Sequence, residues 1–217
     1  MSMKILHRTT VALLSLTTVA GVAQAADATG KTNWYGGVNI GRTDLRANGG
    51  DIDRALAEQN ISSSTSLDSN DTAYSLNIGY KFNPYFALEG GYTDLGKYGF
   101  SSNVTSPVAT TVNGNYKVDG VNLSAVGIIP LNNGFSLYGK AGIFRANTKL
   151  DVSSSGTSGV SSTSDHSTNA TYGLGASYAF NKDWTAKLEW NRFHDVGETS
   201  TGKDNIDLYT VGVAYNF

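Results

Sequence analysis

Large apolar residues and small or polar ones alternate along most of this chain. In its last nine residues Tyr209, Val211, Val213, Tyr215 and Phe217 share one face, and Thr210, Gly212, Ala214 and Asn216 the other. A period of two marks a strand with one apolar face. The pattern recurs over 34–42, 72–82, 85–94, 116–129, 135–145, 170–180, 184–193 and 206–217. In the second of these segments, for example, Tyr74, Leu76, Ile78, Tyr80 and Phe82 oppose Ser75, Asn77, Gly79 and Lys81. In a soluble sandwich the large face points inward. In an outer-membrane barrel it points out at lipid, and the small face lines a narrow interior.

The connections favour the barrel. Three are short, at 83–84, 132–134 and 181–183; four are long, at roughly 43–71, 95–115, 146–169 and 194–205. Short turns at one end and long loops at the other is the polarity of outer-membrane barrels. The long loops are rich in Ser, Thr, Asn and Gly. Ser153–Ser167 is nearly low in complexity and is expected to be a mobile loop, and 51–60 is a candidate short helix. Outward aromatics sort to both strand ends: Trp34, Phe82, Phe86, Phe180, Trp184 and Phe217 near the short turns, Tyr74, Tyr92, Tyr172 and Trp190 near the long loops. These are the two interfacial girdles of a membrane barrel. Strands of about 9–11 residues cross a tilted bilayer path. The expected fold is therefore all-β, an eight-stranded antiparallel up-and-down transmembrane β-barrel, whose interior side chains fill.

The N-terminus sets the compartment. Lys4 and Arg8 precede an apolar run from Val11 to Val22, and Ala23-Gln24-Ala25 is a small-residue cleavage site. This reads as a signal peptide over 1–25, followed by one barrel domain over 26–217. The run is shorter than the ~20 apolar residues of a spanning helix. Net charge is −2 and becomes more negative once Lys4 and Arg8 are removed, which argues against a nucleic-acid partner. There is no cysteine, hence no disulfide or thiol chemistry. No cofactor or metal motif stands out; the acids at 51–53 and 68–71 read as solvated loop groups.

Residues 79–96, Gly-Tyr-Lys-Phe-Asn-Pro-Tyr-Phe-Ala-Leu-Glu-Gly-Gly-Tyr-Thr-Asp-Leu-Gly, resemble the second hairpin of the OmpA-type transmembrane domain. Residues 116–125, 188–190 and 212–217 resemble that family's fourth, seventh and last strands. The resemblance runs from Trp34 to Phe217. It implies a Gram-negative outer-membrane barrel with a structural, membrane-integrity role; a narrow gated pore or an adhesin acting through the loops are the alternatives, and a monomer is expected. Family members usually continue into a periplasmic peptidoglycan-binding domain. The sequence stops at Phe217, so cell-wall tethering is not carried over.

Three sets of residues are candidates for function. Lys81, Glu89, Lys140, Lys187 and Glu189 have inward parity, and buried charges require partners. The resemblance implies a Glu89–Lys187 pair in a network that gates the interior. The family's alternative partners fall on Val126 and Ser177, so the charges either gate the lumen or simply hold the barrel together. At the long-loop rim, Arg42, Arg145 and Arg192 follow the lipid-facing positions, and Lys117 shares their parity. A guanidinium fork suits phosphate, so these residues are candidates for contact with lipopolysaccharide phosphates, with Arg42 and Arg192 flanking the last strand. Tyr209, Val211, Val213, Tyr215 and Phe217 resemble the signal read by the outer-membrane assembly machinery. An enzyme is not expected: His166 beside Ser167 and His194 beside Asp195 are adjacencies in sequence, whereas triads are defined by geometry.

Overall fold

The computed structural model describes residues 33–46, 49–106, 110–154, 157–196 and 204–217. The expected signal peptide lies outside them. The elements are β1 (Trp34–Leu45), α1 (Gly49–Ala57), β2 (Ser62–Asp68), β3 (Asn70–Asn83), β4 (Phe86–Ser106), β5 (Thr110–Pro130), β6 (Phe135–Ser154), β7 (Thr157–Ala179), β8 (Trp184–Val196) and β9 (Asp204–Asn216). Eight of the nine strands form one closed antiparallel ring, in the order β1, β3, β4, β5, β6, β7, β8, β9 and back to β1. The seam between β9 and β1 runs from Tyr35↔Asn216 to Leu45↔Ile206 and removes the sheet's free edges over the band.

The sheet is inside-out by the standards of a soluble protein. Leu76, Ile78, Leu123, Leu174, Leu188 and Val211 are exposed, while Glu89, Glu189, Asn39 and Thr171 are buried. Only hydrocarbon outside the ring makes that distribution favourable. At the short-turn end the outward aromatics meet edge-on, Trp34 on Tyr80, Tyr80 on Phe82, Tyr178 on Phe180 and Trp184 on Tyr215. Tight turns there use left-handed backbone at Asn133 and Gly134.

The expected loops are largely strand. β4 runs to Ser106, β5 starts at Thr110, β6 runs to Ser154 and β7 starts at Thr157, so the hairpins overrun the 95–115 and 146–169 loops, and 157–167 is strand rather than mobile loop. Above the apolar band the alternation does not stop but changes sense: Tyr116, Val118, Phe144 and Ala146 turn apolar groups inward, while Lys117, Asp119, Asn147 and Lys149 face out, and the backbone ladder continues. The ninth strand, β2, pairs with β4 beyond the reach of β3, and only Ser69 separates β2 from β3. The helix in the first loop forms at Gly49–Ala57, slightly ahead of its expected place.

A bulge between Asp94 and Gly96 sets the register of these extensions. Gly96 has φ +90°, and its N–H donates to Asp94 Oδ1 at 2.9 Å. One extra residue flips the parity beyond it, turning Lys97 outward and Tyr98 inward. Tyr98 joins Leu95, Val118, Phe144, Phe193, Ile206 and Leu208 in an apolar cluster that fills the long-loop half of the lumen. A smaller cluster of Tyr35, Ala87, Val126, Tyr138 and Ala214 lies toward the short turns.

Candidate functional site: the lumenal ion ring and the outer rim

Between the two clusters, four charged side chains close a ring. Lys140 Nζ lies 2.5 Å from Glu89 Oε1 and 3.0 Å from Glu189 Oε2; Lys187 Nζ lies 3.2 Å from Glu89 Oε2 and 2.6 Å from Glu189 Oε1. Each lysine bridges both carboxylates and each carboxylate both lysines, so the net charge is zero. Two tyrosines add to it. Tyr35 donates to Glu89 Oε2 at 2.9 Å, and Tyr138 to Glu189 Oε1 at 2.8 Å. Asn191 donates to Glu189 Oε2 at 3.3 Å. All four carboxylate oxygens are thus occupied, as burial of the charges demands.

The register explains the geometry. Tyr35, Gly79 and Glu89 face one another across β1, β3 and β4; Tyr138, Gly175 and Glu189 do so across β6, β7 and β8. In both rows the glycine is the socket for the ring. A Cβ on Gly79 would lie 2.1 Å from Tyr35 Cζ, and one on Gly175 2.3 Å from Tyr138 Cζ. The same Tyr–Gly–Glu row is therefore used twice, on opposite walls. The inward parity of both tyrosines was the available signal, but which strand faced which carboxylate was not legible.

Lys81 does not join the ring. Its Nζ donates to Asn216 Oδ1 at 2.8 Å and lies 5.3 Å from the Tyr35 ring, closer to the short turns. Parity placed it inside the lumen but not its height. Val126 pairs with Lys140 and Ser177 with Lys187 in the ladders, so neither position offers the ring a second charged partner.

At the rim the cations differ in their engagement. Arg42 and Arg192 lie on either side of β9, opposite Tyr209 and Asp207 respectively. Arg192 holds Asp207 with both arms of its fork, Nε to Oδ1 at 2.7 Å and Nη2 to Oδ2 at 2.8 Å. Arg46 Nε and Trp190 Nε1 also donate to Asp207. Arg42 donates to Asn70 at 3.3 Å, and Lys117 Nζ lies 3.3 Å from Asp94. The bulge brings Lys97, Lys117 and Lys149 side by side on β4, β5 and β6, an alignment that parity without the bulge conceals. Arg145 is exposed on the same wall.

The other candidates resolve simply. His166 is exposed while Ser167 is buried on the opposite face of β7, so the two do not form a dyad. His194 Nδ1 meets Asp195 Oδ2 at 3.1 Å, both exposed. The loop acids Asp53 and Asp71 are hydrogen-bonded rather than merely solvated. Asp53 accepts from Thr65 Oγ1, Ser63 Oγ and the Thr65 amide, bonds that hold its carboxyl below the ordinary aspartate value and fasten α1 to β2. Asp71 accepts from the Lys97 and Thr72 amides beside the bulge.

A family model for the OmpA-like transmembrane domain matches residues 29–217. Among curated relatives, outer membrane protein A of Salmonella typhi is 29% identical over 206 residues, covering 92% of this chain and 53% of that one. The protein of the same name from Yersinia pseudotuberculosis is 29% identical over 220 residues, covering 98% and 56%. The chain thus spans about half the length of the relatives it matches. Of solved structures, Neisserial surface protein A superposes with a TM-score of 0.53 at 16% identity, over 87% of this chain and 99% of that one. The outer membrane protein OprG of Pseudomonas aeruginosa superposes with 0.50 at 16%, over 88% and 99%; at these identities the likeness concerns the fold. The exposed apolar belt, the closed ring of eight strands and the family match agree: the chain belongs to the OmpA-like transmembrane domain family, as a β-barrel of the Gram-negative outer membrane.

Proposed function

We propose that this barrel is a non-conducting structural component of the outer membrane, without enzymatic activity, whose extended hairpins are available for contacts at the cell surface. The observation that carries the reading is a lumen obstructed twice. The ion ring closes it at one level, and the cluster around Phe144 and Phe193 fills it on the long-loop side. The cavity above the ring measures about 20 Å³, roughly the space of one water. Parting Glu89 from Lys187 would still leave the apolar cluster in the path, which argues against a gate worked by one ion pair. Planar-bilayer recording tests this: no steady conductance is expected, and a large sustained conductance from the wild-type protein overturns it. Lipid A modification and peptide hydrolysis assays are expected to show no activity.

A second reading concerns lipid. The aligned Lys97, Lys117 and Lys149, with Arg145 and Arg42, suit phosphates of the outer leaflet, although Asp94 and Asp119 lie just below the lysines. Less lipopolysaccharide should co-purify with Lys97→Gln/Lys117→Gln/Lys149→Gln; an unchanged amount counts against the contact. Arg192 belongs to the Asp207 cluster instead.

A further inference from the structure

Below the ion ring the lumen is not filled. A cavity of about 210 Å³ lies between the ring and the short turns, with Pro84 and Gly134 in its lining. In barrels of this kind the short turns face the periplasm, so this is a vestibule accessible from that side and obstructed on the other. Its charge is unbalanced. The ring is neutral, and its four carboxylate oxygens are all engaged. Lys81 contributes a further positive charge, with the Asn216 carbonyl at 2.8 Å and no carboxylate beside it among the described residues. Lys187 shares the space: the two ammonium groups lie 5.3 and 5.9 Å from the same Tyr35 ring. In walls of low dielectric, an excess cation attracts an anion far more strongly than in water.

The walls select the kind of anion. Val126 and Ile128 line the cavity alongside Lys81, with Thr185 as a further polar group. We infer that the vestibule binds a small organic monocarboxylate, its carboxylate on Lys81 Nζ and its apolar tail against Val126 and Ile128. One uncompensated cation matches one negative charge, and a dianion would leave charge unpaired in an apolar surround. The site depends on the vestibule alone, so a conducting lumen would refute the proposed function without touching it.

Titration of the folded barrel in dodecyl maltoside micelles with sodium butyrate, at constant ionic strength against chloride, tests it by amide NMR. Saturable shifts are expected at Thr185, Ser177 and Ala214, with a millimolar dissociation constant, as befits so small a ligand. Formate carries the charge without the tail and should bind about tenfold more weakly. Lys81→Gln keeps a partner for Asn216, leaves the ring intact and should weaken butyrate binding at least about tenfold. Ile128→Asp, which supplies an internal carboxylate, should abolish it. Shifts that do not saturate, formate binding as tightly as butyrate, or a response unchanged in Lys81→Gln or in Ile128→Asp overturns the assignment.

Discussion

Two glycines decide whether the centre of this barrel can form. Gly79 and Gly175 leave room for tyrosines that donate to Glu89 and Glu189. Gly175→Ala should expel the Tyr138 ring and cost about 1.5–3 kcal/mol, the worth of a hydrogen bond to a buried charge, read by urea unfolding in lipid vesicles. Lys140→Gln leaves two carboxylates sharing one lysine and should cost about 3–5 kcal/mol in the same assay. Outside the membrane, Asp53 fastens α1 to β2. Its pKa is lowered in the folded state, so its contribution is present above the unfolded value and lost as pH falls through the folded one. Hydrogen-exchange protection in α1 should therefore hold at neutral pH and fade below about pH 4. Asp53→Asn should remove that dependence.

At the scale of elements, each strand has two parts held by different forces. Within the band, hydrocarbon outside and packed polar side chains inside fix the register. Above it, the β4–β5 and β6–β7 hairpins continue on backbone hydrogen bonds and interior packing, without lipid outside. The two parts should separate experimentally. Replacing 100–114 by a tight turn removes the far end of one hairpin while keeping Tyr98 and Tyr116, and the barrel should still fold, as judged by heat-modifiable migration on gels. The bulge joins the two parts. Gly96→Ala meets both an unfavourable φ and the Asp71 carboxylate, with Oδ2 2.6 Å from the added Cβ, and should cost about 1–2 kcal/mol. Sequence alternation located the band of each of the eight ring strands because lipid enforces it. It missed β2 and the extensions because lipid no longer marks the outward positions above the band, where the apolar side chains turn inward instead.

At the scale of the whole molecule, closure is the governing property. The ring of strands closes at β9–β1, and the lumen closes at the ion ring and again at the apolar cluster. Neither obstruction alone is expected to control passage: Lys187→Ala should remain silent in bilayer recordings, and conductance should appear only when Phe144→Ala and Phe193→Ala are added. Phe217 completes the seam. Its N–H donates to the Trp34 carbonyl at 3.0 Å, and its ring stacks edge-on against Tyr215. Its resemblance to an assembly signal predicts that deleting Phe217 lowers the amount of folded protein in outer-membrane fractions.

Period-two alternation, the two kinds of connection and the sorting of aromatics were enough, read from the chain alone, to place eight crossings and the side of each that meets lipid. They suffice because a bilayer imposes one rule on every outward position. Parity also named the inward charges, since only side-chain direction is needed to know that Glu89, Lys140, Lys187 and Glu189 share a lumen. Which of them touch, why Lys81 stands apart, how Arg192 and Arg46 converge on Asp207 and where the bulge turns Tyr98 inward were decided by the tertiary structure. Those features depend on the stagger of strands around a closed ring, and stagger brings together residues far apart in the chain that no local pattern relates.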